Sequence, residues 1–345
     1  MPGEGHLRIV RNPQRDLGRG VGRNVKAREK AGAKARARLG GGGTRLVSSS
    51  KSGWLNDSYR KVHPLIGALQ RHIVSENVAI NDERDSRVHG HIHPSSACRA
   101  DWCPRASWYE IMGTPALPLA DVGHRMANIF AEGHEIHYKY QRWLRDMGIL
   151  LGMWECLSCG HIWWDQSPSK CQFCLDTHLI YREVPIEDED LMIRGNADGL
   201  VLFEERKRLI EIKSIGLRSI ELDFPKMYRP YKDGEINLTQ LWASVKEPFP
   251  VHIRQATLYL RVLRSNGDPV EDIIFIYEFK GNQDVKAFTI GYRPEAIEHI
   301  LTGARQIAVA IDRQRPVRRP AWAEEPTNKV CRVCPYRETC WEGSE

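Results

Sequence analysis

The apolar pattern is clearest in two places. Residues 193–203 and 209–213 read as two short apolar strands, joined by a charged turn over 204–208. Because strand side chains alternate faces, Ile210 and Ile212 point one way and Glu211 and Lys213 the other. A hairpin pairing then sets Asp198 beside Glu211. Helical spacing dominates 121–147, where Met126, Ile129, Phe130, Gly133, Ile136, His137, Tyr140 and Leu144 form one stripe. Gly133 on that stripe predicts a close approach to the helix, and His137 shares the stripe one turn later.

The rest of the chain reads more briefly. Helices are predicted over 59–74, from near Cys103 after the turn at Pro94, over 251–263 and over 294–312, and strands over 273–279 and 287–292. Residues 81–87 predict a loop, and 313–320 an extended basic segment. Residues 223–250, with Pro225, Pro230, Pro248 and Pro250, predict an irregular loop long enough to be a lid or channel wall. On the 251–263 helix Gln255 and Tyr259 share a face, while Ala256, Leu260 and Leu263 face a core.

Charge changes the picture at one end. Residues 1–51 hold thirteen Lys/Arg against three acidic residues, +10 in all, so a chain of net charge +6 leaves 6 − 10 = −4 for residues 52–345. Residues 1–52, rich in Gly and Ser as well, predict a basic disordered tail, either a non-specific arm for nucleic acid or a solvated tail. Residues 53–345 form the expected domain. No run of about 18 apolar residues occurs, so no membrane span is expected, and the basic start without an apolar region predicts a cytoplasmic protein.

The chemistry follows from side-chain type and spacing. Two carboxylates, Asp198 and Glu211, are hard oxygen ligands suited to Mg²⁺ or Mn²⁺, and Lys213 is a point charge that orients water or neutralises phosphate. Metal-assisted phosphodiester hydrolysis needs little more. A solvated hairpin with a surface Glu–Lys pair would show the same local pattern. Nine cysteines add two further centres. Cys156-x₂-Cys159 and Cys171-x₂-Cys174 predict a tetrahedral zinc ribbon inserted at 154–182, with Trp163 and Trp164 packed over it or stacking on bases. Cys331, Cys334 and Cys340 supply three ligands and need a fourth from Cys103 or Cys98. Four thiolates so placed hold either zinc or an iron–sulfur cluster.

Together these pieces resemble the iron–sulfur exonuclease branch of the PD-(D/E)xK nuclease superfamily, which includes RecB- and AddB-type nuclease domains and CRISPR-adaptation exonucleases, some phage-encoded. The likeness covers about residues 90–345 and rests on Cys103-Pro104-Arg105, Gly133-x₃-His137, Gly195-x₂-Asp198, Glu211-Ile212-Lys213, Gln255-x₃-Tyr259 and the last three cysteines. It implies an α/β class with an α+β mixed sheet, a restriction-endonuclease-like core carrying the inserted ribbon and the C-terminal cysteine cluster. It implies that His137, Asp198, Glu211 and the Ile212 carbonyl hold Mg²⁺ or Mn²⁺, and that Lys213 positions or helps deprotonate a water. It implies that Gln255 and Tyr259 engage DNA, and that Cys103, Cys331, Cys334 and Cys340 hold a 4Fe-4S cluster. The expected activity is DNA exonuclease on single-stranded ends in recombination, repair or phage DNA metabolism, with a recombination or helicase partner, in a bacterial or phage-infected cytoplasm. The alternatives are a CRISPR-adaptation-like trimming partner and a non-catalytic DNA binder that keeps the fold.

Overall fold

The hairpin of the sequence pattern becomes the middle of a seven-stranded mixed sheet. The computed structural model describes residues 63–85, 90–117 and 123–342. The basic segment 1–52 and the start of the predicted 59–74 helix lie outside the described residues. The described residues form one compact unit. Its elements are α1 (Pro64–Asp85), α2 (Pro94–Ala97), α3 (Pro104–Ile111), α4 (His124–Asp146), β1 (Leu150–Cys156), β2 (Ile162–Gln166), β3 (Leu179–Arg182), β4 (Val184–Asp188), β5 (Ile193–Ala197), β6 (Gly199–Phe203) and β7 (Arg206–Ile215). There follow α5 (Leu217–Asp223), α6 (Pro225–Lys232), α7 (Leu238–Ser244), α8 (Pro250–Ser265), β8 (Asp272–Phe279), β9 (Asp284–Gly291), α9 (Glu298–Asp312) and α10 (Arg337–Glu342). Among the described residues no helix is long and apolar enough to cross a membrane.

The sheet runs β2-β1-β6-β7-β8-β9, with β3 also on β1, and every pairing is antiparallel except β7 with β8. The predicted strand over 193–203 breaks at Asp198. Residues before it form β5, which pairs with β4 in a separate two-stranded sheet; residues after it form β6. The β6–β7 turn is tighter than predicted and holds only Glu204 and Glu205, both at positive φ. Positive φ at both central residues matches the twist of the flanking strands, as in a type I′ turn. The helix pattern over 121–147 becomes α4, which crosses β7. Gly133 is not forced by a close approach there: a Cβ would meet only Ser214 Oγ, at 4.0 Å.

Two expectations about loops are corrected. Residues 81–85 continue α1, so the predicted 81–87 loop begins no earlier than residue 86. The region 223–250 is not an irregular loop but carries α6 and α7, preceded by α5. Pro225 and Pro250 occupy helix first turns, where the missing N–H costs nothing. Asn237 and Gln240 close a reciprocal capping box on α7. Helices of seven or eight residues show too few turns for periodicity to reveal them.

These short helices cap a large core. Trp242 of α7 stacks on Phe279 with centroids 4.8 Å apart and planes at 9°, and Lys286 Nζ sits 4.7 Å above its ring. Trp242→Ala is expected to cost about 3–5 kcal/mol in a urea melt, the range for emptying a large aromatic site. Helix α8 is buried on most of its surface because it lies between two cores. Ile253, Ala256, Tyr259 and Leu260 face the core under β7 and β8, while Leu258 faces a second core shared with α3 and α9.

Candidate active site and cysteine centres

Asp198 stands at the kink between the two sheets. Continuing the hairpin register one step past Gly199–Ile210 sets Asp198 opposite Glu211. Strand β6 has ended there, so the Ile212 N–H has no strand partner on that side. The Asp198 carboxylate takes its place, with Oδ2 accepting from Ile212 N at 2.6 Å. Its other oxygen, Oδ1, lies 3.1 Å from Nδ1 of His137 on α4. Gln141, one turn further along α4, donates from Nε2 to the Asp198 carbonyl at 2.9 Å. Helix α4 thus braces the kink through both backbone and side chain.

Glu211 is wholly buried, and its carboxylate is only partly answered. Lys213 Nζ is 2.6 Å from Oε1 as an ion pair, and no donor reaches Oε2. Burial pushes the Glu211 carboxyl up to about 7, with Lys213 opposing and Asp198 adding to the rise. Burial also works against the Asp198 anion, but His137 and Lys213 outweigh it and hold that carboxyl below its ordinary value. Burial would likewise lower Lys213 and His137; Glu211 with Asp198 outweighs it at the lysine, and Asp198 at the histidine, so both end raised. Lys213 is therefore a cation at neutral pH. A buried carboxylate with an unanswered oxygen, another carboxylate and an imidazole form a hard donor set that fits Mg²⁺ or Mn²⁺.

The expected ligand set does not close as a single triple. His137, Asp198 and Glu183 each offer an atom within 4.8 Å of the other two; Glu211 is not in that triple, and its Oε1 pairs with Lys213. Glu183 is the residue that sequence reasoning missed. It lies between β3 and β4, and no spacing or periodicity ties it to Asp198. Partial burial and the nearby Asp198 hold its carboxyl above the ordinary range. It lines a cleft of 310 Å³ with His93, Ser95, Arg194, Asn196 and Tyr259. Tyr259 is buried, and its hydroxyl accepts from Gln255 Nε2 at 2.7 Å. The Gly195 backbone passes so close that a Cβ there would meet Pro94 at 3.0 Å. That contact accounts for glycine three residues before Asp198.

The four ribbon cysteines converge on one point. Cys156 and Cys174 sulfurs are 3.5 Å apart, and those of Cys159 and Cys171 are 3.7 Å apart. Tetrahedral zinc at about 2.3 Å from each sulfur sets neighbouring sulfurs about 3.8 Å apart, so the set fits zinc. The ribbon is less separate than an insert. Its first strand, β1, also pairs with β6 and so belongs to the main sheet. Trp163 is buried beneath the ribbon, while Trp164 on the other face is 46% exposed with Lys207 Nζ 5.7 Å from its ring centroid. The expectation of both tryptophans packing over the ribbon therefore holds for Trp163 alone.

Cys103, Cys331, Cys334 and Cys340 line one small cavity with Arg319 and Tyr336. Cys98 does not line it; its side chain is fully buried in the α3–α9 core. Among the described residues no three of these four sulfurs lie within 4.8 Å of one another, unlike the ribbon set. Four thiolates lining one cavity are an all-sulfur donor set, which in chemistry suits either zinc or an iron–sulfur cluster.

No protein-family model matches the chain, and no curated protein matches it. Among solved structures, the protein SSO0001 is similar at 14% identity and a TM-score of 0.37, covering 81% of this chain and 100% of that one. The alkaline exonuclease LHK-Exo from Laribacter hongkongensis is similar at 13% identity and a TM-score of 0.36, covering 68% of this chain and 93% of that one. Its complex with dAMP is similar at 13% identity and a TM-score of 0.35, covering 65% and 89%.

Proposed function

We propose that this chain is a metal-dependent DNA exonuclease acting on single-stranded ends. One observation carries the reading: two carboxylates and a charged lysine meet beside a histidine where a strand ends, next to an open cleft. A pure DNA binder has no need of a buried carboxylate with an unanswered oxygen. Asp198, Glu211 and His137, with the Ile212 carbonyl, hold Mg²⁺ or Mn²⁺. When bound, the cation supplies a water of lowered pKa and a counter-charge for the phosphate. Lys213 keeps its proton and orients the attacking water, and its charge favours the charge-rich transition state. Asp198 holds the Ile212 backbone in place through the 2.6 Å hydrogen bond. Gln255 and Tyr259 steady the DNA strand at the cleft wall. Cys103, Cys331, Cys334 and Cys340 hold a 4Fe-4S cluster as a staple, and the ribbon cysteines hold zinc.

The test is direct. Purified protein with Mn²⁺ is expected to convert end-labelled linear single-stranded DNA to short products while sparing a single-stranded circle. Lys213→Ala is expected to slow the reaction by about a hundredfold or more, the scale of losing one charge that stabilises a transition state. Linear DNA left intact by the wild type would overturn the nuclease reading. A cleaved circle would make the enzyme an endonuclease.

A further inference from the structure

We infer that Glu183 is a ligand of the same cation and that the zinc ribbon holds it in place. The inference rests on the metal-site reading above and extends it to a residue outside the expected set. Glu183 offers an oxygen within 4.8 Å of ligand atoms of both His137 and Asp198, and it faces the cleft. The second observation is Glu211, whose buried Oε2 has no donor beside that same Asp198. Three carboxylates around one imidazole leave more negative charge than Lys213 can answer, which suits a divalent ion.

The position of Glu183 is set from the ribbon side. It follows β3, which pairs with β1 through Cys156–Leu179 and Trp154–Tyr181. Cys156, at the end of β1, is one of the four ribbon sulfur donors. Two residues before Glu183, the Tyr181 hydroxyl donates to the Leu151 carbonyl at 3.2 Å. The Tyr181 ring packs against the backbone at Gly152, where a Cβ would come within 2.4 Å of it, and a Cβ at Gly199 would lie 3.2 Å from its hydroxyl. Glycine at both positions allows the ring to lock β3 onto β1 and β6. The zinc site fixes the far end of β1 and β3, Tyr181 fixes the near end, and Glu183 emerges beside Asp198. The ribbon thereby acts on the active site as a positioning device, and its zinc and the cleft cation are thermodynamically linked.

The experiment is a Mn²⁺ titration of the zinc-loaded full chain, read by the electron paramagnetic resonance of free Mn²⁺. Glu183→Gln keeps size and removes charge. It is expected to weaken Mn²⁺ binding by about tenfold or more, the scale of losing one supporting group at a metal site. Cys174→Ser, at an exposed ribbon cysteine, is expected to lose zinc and weaken Mn²⁺ binding in the wild-type background. In the Glu183→Gln background it should add nothing further. Gly152→Ala keeps all four cysteines and displaces Tyr181 alone; it should retain zinc and still weaken Mn²⁺ binding severalfold. Unchanged affinity in Glu183→Gln overturns the inference while leaving the nuclease reading intact, provided Asp198→Asn loses binding. Equal effects of Cys174→Ser in both backgrounds overturn the positioning role. A wild type that binds no Mn²⁺ overturns the underlying reading instead.

Discussion

Asp198→Asn is expected to lower DNA cleavage by about a thousandfold or more, a loss of roughly 4 kcal/mol of transition-state stabilisation, while leaving the fold intact. The amide oxygen of asparagine can still accept from Ile212 N, which the carboxylate now meets at 2.6 Å. What disappears is the negative charge that His137 and Lys213 surround and the hard oxygen donor toward a cation. Asp198→Ala should cleave no better and should also unfold more easily. It strands the Ile212 N–H where β6 has already ended, and an unpartnered buried donor costs about 1–3 kcal/mol. Single-turnover cleavage and urea melts of the two variants separate these effects. An asparagine variant that cleaves at the wild-type rate would remove Asp198 from the site, and an alanine variant as stable as asparagine would remove its bracing role.

The same residues show why the site favours a cation. Glu211 sits fully buried beside a second carboxylate, with one oxygen unanswered. Burial, with Asp198 beside it, pushes its carboxyl up to about 7 against the opposing pull of Lys213, so the bare site disfavours the Glu211 anion. A bound divalent ion reverses that balance by preferring the anion. The strand that carries Glu211 is fixed on both sides, by β6 through Gly199–Ile210 and by β8 through Glu211–Phe275. Local electrostatic strain is thus held by a rigid frame rather than relieved by movement.

How much of this could be read in advance depended on whether the signal was local. The hairpin was legible because its two apolar stretches and the charged turn lie within about twenty residues, but its register was not: a turn over 204–208 would pair Phe203 with Leu209, whereas the two-residue turn pairs Phe203 with Arg206. Asp198 faces Glu211 in that tighter register. Helix α4 was legible because six turns repeat the same stripe. The helices α5 to α7 were not, because each is about two turns long and the prolines of this region, Pro225 at the first turn of α6 and Pro230 inside it, read as breakers. The break at Asp198 was hidden because the apolar pattern runs through it, although β5 and β6 belong to different sheets. Glu183 carried no signal of its own. Its place comes from the pairing of β3 with β1 and from Tyr181 packing on two glycines, contacts that no sequence period reports. Both tryptophans of the ribbon looked equivalent, yet neighbours on a strand face opposite ways, and only Trp163 reached the core.

Cys103→Ala should be the most damaging of the cysteine substitutions outside the ribbon, and Cys98→Ala a mild one, although the two lie five residues apart. Cys103 caps α3 and shares one cavity with Cys331, Cys334 and Cys340, so its sulfur is the only one of the four that joins the chain before α4 to the last helix. The contacts around that junction are real but few. Tyr109 stacks on Tyr336 at 5.7 Å, Leu117 N donates to the Pro335 carbonyl at 2.8 Å, and Arg105 reaches the Val317 carbonyl at 2.9 Å. Burial pushes the Cys103, Cys331 and Cys334 thiols up, so they become ligands only by giving their protons up to a metal, and that binding energy is folding energy. Losing the fourth ligand is expected to cost about 3–5 kcal/mol, in line with other severed cross-links. Cys98, buried among Ala97, Trp108 and Leu258, loses only packing, about 1–2 kcal/mol for so small a truncation. Iron and sulfide analysis with urea melts of both variants decides the matter. Iron retained in Cys103→Ala and lost in Cys98→Ala would hand the fourth position to Cys98 and require the α2–α3 segment to rearrange.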